Sequence, residues 1–130
     1  MNARKIPPRG ATVRTTMIKR IALLTRKEGL SREEFLRQWQ DHLPIAHDVP
    51  GLRRYVINHI VDEPQRTDVP IRWELGEVDG VAETWWDDQA ATDRAFASPE
   101  GKRWLAHGST FIGRQKTFVV EEEVVVDTPD

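Results

Sequence analysis

Between Met17 and Val126 the apolar residues change period in a fixed order, and no other feature restricts the fold as much. The run Met17 to Arg26 is apolar on both parities, with Ile21 and Leu23 against Ile18, Ala22 and Leu24. That suits a strand covered on both faces, although periodicity alone also allows a short buried helix. A helical pattern follows, opened by Ser31 and Glu34 as a capping box and by Leu30 and Phe35 as a hydrophobic staple. Phe35, Leu36, Trp39, Leu43 and Ala46 then share one stripe. The pair Pro50-Gly51 turns the chain into a second strand, Leu52 to Val61, and Val81 to Trp86 reads as a third. Asp87 or Asp88 caps a helix through Phe96. Ser98 and Pro99 then open a short helix that carries Trp104, Leu105 and His107 to a stop at Gly108. Gln115 to Val126 is the last strand, with Phe118, Val120, Val124 and Val126 on one parity.

Strand, helix, strand, strand, helix, strand is the split order of a ferredoxin-like α+β sandwich with a four-stranded antiparallel sheet. Helices cover one face of such a sheet, so strands apolar on both parities call for a partner on the other. A second copy stacked sheet on sheet gives a homodimer, an α+β barrel. Residues 17–126 form the single expected domain, between a flexible basic arm at 1–16 and a tail at 127–130. The polar stretch from Asp62 to Gly80, with Pro64, Pro70, Gly76 and a lone Trp73, is either a lid over a site or a plain connector.

Composition removes several classes of function. The chain has no cysteine, which excludes disulfides, thiol nucleophiles and cysteine metal sites. The net charge of -2 conceals an asymmetry: Arg4, Lys5, Arg9 and Arg14 stand in the arm, leaving 15 basic against 21 acidic residues. A balance of -6 does not suit nucleic acid. No apolar run approaches a membrane span or the core of a secretory signal, so no membrane partner and a cytoplasmic location are expected.

His42 is the residue that proposes a chemistry. It falls on the apolar side of the first helix, beside Phe35, Trp39 and Ala46, two residues before Pro44. The proline should end or kink the helix and leave the Gln40 carbonyl without its helical partner. An imidazole so placed is a candidate acid or base; a satisfied core histidine has the same pattern. His47 and His59 are read as surface or packing residues. The five-residue step from His42 to His47 misses the one-face spacing of a metal site, so no metal is expected.

The segments GLSREEFLRQWQDH, PGLRRYVINH, AETWW and SPEGKRWLAHGSTFIG resemble the EthD-like branch of the dimeric α+β barrel proteins. The HGSTFIG segment and the TDVP loop resemble the methylmuconolactone methylisomerases in particular. That resemblance implies a cofactor-free isomerase or lyase of aromatic catabolism, with His42 moving a proton and Tyr55 orienting or stabilising an oxyanion. In the family pattern a loop histidine falls on Asp68 and a strand cysteine on Thr84, so both have changed here. Trp39, Asp68, Thr84 and His107 complete the implied substrate-binding set, although His107 could instead cap helix carbonyls. Glu83, on the opposite parity, is expected to face the barrel interior. Two other readings stay open: a non-catalytic dimeric accessory protein of an oxidative pathway, and a haem- or oxygen-dependent barrel enzyme.

Overall fold

The computed structural model describes residues 13–74 and 76–129. The elements run β1 (Val13–Arg26), α1 (Arg32–His42), a 3-10 turn (Leu43–Asp48), β2 (Arg54–Asn58), β3 (Gly80–Trp86), α2 (Gln89–Ala97), α3 (Pro99–Gly108) and β4 (Ile112–Val124). The sheet order is β2-β3-β1-β4 and every pairing is antiparallel. This is the ferredoxin-like sandwich that the hydrophobic periods imply.

The caps behave as their residue types require. The Ser31 hydroxyl accepts from the Glu34 N–H at 3.1 Å, Asp88 accepts from Ala91 at 2.7 Å, and Ser98 accepts from Gly101 at 3.1 Å. Pro44 does end α1, but it does not orphan the Gln40 carbonyl. The backbone tightens into 3-10 geometry and the Leu43 N–H bonds that carbonyl instead.

Several strand boundaries differ from the sequence expectation. β1 starts at Val13, four residues into the expected arm, because residues 13 and 14 pair with Val124 and Glu123 of β4. Backbone pairing of that kind leaves no apolar pattern to read; residues 1–12 of the arm lie outside the described residues. β4 likewise starts at Ile112, three residues early. β2 is shorter than Leu52 to Val61, since its partner β3 begins at Gly80 and the last paired row is Asn58 with Val81.

Opposed residues in an antiparallel sheet project from the same face. One row across β2, β3 and β1 is therefore Tyr55, Thr84, Arg20, and the next is Ile57, Ala82, Ala22. These rows look toward the helices, and the small residues Ala22 and Ala82 keep their floor low. Above it the core divides into two clusters. Trp86, Trp104, Ala46, Val49 and Ala95 form one; Phe35, Trp39, Leu24 and Phe111 form the other. The opposite face carries Lys19 bonded to Glu83 at 3.3 Å, with Trp85 sandwiched between the Lys19 and Arg54 cations, each 4.7 Å from its ring. Glu83 is thus on the face expected of it.

Candidate active site

A cleft of about 320 Å³ opens between the two core clusters. Its floor is the pair of rows just described, with Arg20, Ala22, Ala82, Thr84 and Tyr55, and its walls include Trp39, His42, Phe96 and Trp104. Two tryptophans, a phenylalanine and small aliphatics make it a dry place for a small ligand.

His42 bridges the two clusters. Its ring is 6% exposed, stacks on Trp104 at 5.8 Å and 12°, and meets the Phe111 ring at 5.3 Å. Its Nδ1 lies 2.9 Å from Nδ1 of His107, and the two rings stack at 5.1 Å. Two imidazoles joined in this way share one proton, one ring donating and the other accepting. Burial first, and the charge of His107 second, lower the His42 pKa to about 4, so the ring is neutral at physiological pH. Gly108 packs beside the opposite ring edge: a Cβ there would stand 3.6 Å from Cε1 and 3.8 Å from Nε2 of His42, and both residues line the cleft.

Tyr55 enters from β2, its ring edge-on to Trp104 at 5.4 Å. Burial raises its pKa to about 12, against the smaller opposing effect of a hydrogen bond from the Trp39 side chain. The phenol therefore stays protonated as a donor. Thr84, buried beside it, accepts from the Trp86 indole at 2.9 Å, which leaves its own hydroxyl proton available. Trp104 Nε1 is buried without a hydrogen-bond partner among the described residues.

The fold thus gathers His42, Tyr55, Trp39 and Thr84 around one cleft, with His107 directly behind His42. His107 does not cap helix carbonyls: Ser109 and Thr110 take the backbone bonds at the end of α3. Asp68 is not brought to the cleft. It lies in the exposed loop, held by Arg66 two residues away at 2.9 Å. Among the described residues that loop does not line the cleft either. Its end is fastened to β1 and β4 through Asp79 on Arg26 and Glu77 on Arg114, each at 2.9 Å, and through Thr25 on the Glu77 carbonyl. His47 is exposed, and His59 is exposed against the Trp39 ring. Arg20 was missed by sequence reasoning. It stands between Ile18 and Ala22 on the buried parity of β1, and a charge on an otherwise apolar face was the available signal.

Fold and cleft together define a small ferredoxin-like protein with a neutral histidine and a protonated tyrosine lining one apolar site. Its sequence matches the methylmuconolactone methyl-isomerase family over residues 17–126, and the chain belongs to that family. It is 32% identical over 108 residues to 4-carboxymethyl-4-methylbutenolide mutase of Pseudomonas reinekei, covering 83% of this chain and 100% of that protein. Among solved structures it is similar to an ethyl tert-butyl ether D (EthD) family protein of Bacillus halodurans. The TM-score is 0.66 at 25% identity, over 82% of this chain and 98% of that one. A dimeric ferredoxin-like protein of Bacteroides fragilis shares the fold at a TM-score of 0.63 and 10% identity, over 85% of this chain and 100% of that one.

Proposed function

We propose that the protein is a cofactor-independent isomerase or lyase that moves a proton on a small anionic lactone or ketone of aromatic catabolism. Family membership supports this substrate class, and the relative from Pseudomonas reinekei is named for a carboxymethyl-substituted butenolide. The observation that carries the mechanism is the cleft wall itself: a neutral His42 and a protonated Tyr55 line the same small cleft.

In the tautomer suited to this role His42 donates Nδ1–H to His107 and keeps Nε2 unprotonated. Nε2 removes the proton alpha to the substrate carbonyl. The C–H electron pair becomes the enolate double bond, and the negative charge on oxygen is met by the Tyr55 hydroxyl. Return of the proton from His42 to another carbon completes an isomerisation. Thr84 offers a second hydroxyl to the same oxygen or to the lactone ring.

The test is proton exchange. Purified protein and a methyl-substituted muconolactone in D2O are followed by proton NMR for loss of the alpha signal and appearance of an isomer. His42→Gln should slow both by at least about a hundredfold. A folded variant that exchanges and turns over like the wild type would remove His42 from the chemistry.

The protein also assembles as a homodimer through the sheet face away from the helices. Ile21, Leu23, Val56, Val81 and Phe118 lie on that face, with Phe118 44% exposed. The similar protein of Bacteroides fragilis is described as dimeric, which accords with this reading.

A further inference from the structure

Arg20 is a charged residue of the cleft that the proton-transfer scheme leaves unused. It occupies the same sheet row as Thr84 and Tyr55, so its side chain rises from the floor on the helix side. Its guanidinium lies over the Phe96 ring at 5.1 Å, and both residues line the cleft. Among the described residues Arg20 has neither an ion pair nor a hydrogen bond to an acid, and the nearest acidic influence is the field of Asp93. Burial weighs against its charge more than Asp93 supports it.

Six other arginines, Arg26, Arg53, Arg66, Arg72, Arg103 and Arg114, each hold a carboxylate. Arg32, Arg37, Arg54 and Arg94 have no such ion pair among the described residues, but all four are exposed to water, whereas Arg20 is half-buried. Among the described residues no Asp or Glu lines the cleft, although acids outnumber bases in the chain as a whole. A partly desolvated cation with no carboxylate in ion-pair range, in a cleft whose described lining carries no acid, is complementary to an anion. One planar fork of N–H donors, braced on an aromatic face, matches a carboxylate in two parallel bonds. A phosphate dianion would need further donors, and among the described residues the other cation on the cleft, Arg114, is engaged by Glu77 at 2.9 Å.

We infer that Arg20 is the carboxylate anchor of the cleft, and that it selects ligands carrying a free carboxylate apart from the carbonyl that reacts. Its position fixes the ligand's direction: the carboxylate points toward Phe96 and α2, and the reacting carbon toward His42 and Tyr55. This deepens the lactone reading and rests on it.

The test measures binding through tryptophan fluorescence, which Trp39 and Trp104 report from the cleft walls. Two probes are compared, a carboxymethyl butenolide and its methyl ester, on wild type, R20Q and R20K. The wild type should bind the acid at least tenfold more tightly than the ester. R20Q should weaken the acid about ten- to a hundredfold and leave the ester unchanged, with R20K between them. Thermal melts of both variants separate this from unfolding. Acid binding by R20Q equal to wild type, or equal loss of acid and ester, overturns the assignment. If the wild type binds neither lactone, the lactone reading falls, and phenylacetate, a carboxylate without a lactone ring, decides Arg20 on its own. Phenylacetate binding lost in R20Q sustains the anchor; binding unchanged in R20Q, or absent from the wild type, ends it.

Discussion

Burying His42 makes its positive charge unfavourable, and this sets the response of the fold to acid. The unfolded chain takes up a proton at its ordinary pKa near 6.5, whereas the folded ring holds out to about 4. Between those values the unfolded state binds more protons, so stability rises with pH. The contribution is complete above pH 6.5 and is lost as pH falls toward 4, an effect of roughly 1–3 kcal/mol after allowance for screening. Urea titrations across that window should show the loss in the wild type and a flatter dependence in His42→Phe; equal slopes would mean the ring is not the titrating group. At this scale the sequence was informative where a residue's own neighbours decide its place. His42 and Trp39 could be assigned to one helix face from period, whereas Tyr55 and Thr84 were drawn to the site by the family resemblance, since both faces of their strands read as apolar. The pairing with His107 could not, because the partners lie 65 residues apart on different helices. Nor could the fate of Asp68, whose short-range partner Arg66 holds it in solvent.

Among the elements, β3 meets α1 at its first residue. Gly80 lies under the six-membered ring of Trp39, and a Cβ added there would stand 2.5 Å from Trp39 Cη2. Trp39 is wholly buried and cannot yield, so Gly80→Ala should cost about 2–3 kcal/mol in denaturant unfolding. The penalty should shrink when Trp39 is Phe, since the clashing ring is then smaller; an undiminished penalty would place the strain elsewhere. Helix starts were legible because Ser31, Asp88 and Ser98 act within three residues of themselves. Strand ends were not, because a strand stops where its neighbour stops. β2 ends with the partner it loses at Gly80, and β1 begins early with the partner it gains in β4.

For the whole molecule, the proposed dimer makes a simple claim. Phe118 lies on the sheet face opposite the cleft, and Phe118→Glu should shift the protein from dimer to monomer in sedimentation velocity while leaving the fold intact. A wild-type monomer at micromolar concentration would instead mean that this face stays in water. The sheet order carries another consequence, for how the chain is made. β1, the first strand, lies between β3 and β4, and β4 is the last element of the described chain. During synthesis β1 can pair with β3 on one side, yet its other edge must wait for Ile112–Val124 to emerge. Until then a long apolar strand offers unbonded backbone to any neighbour, and the cleft lacks the wall that Ile112 and Thr117 provide. The greatest risk of misassociation therefore falls late in synthesis, when almost everything but the closing strand has been made.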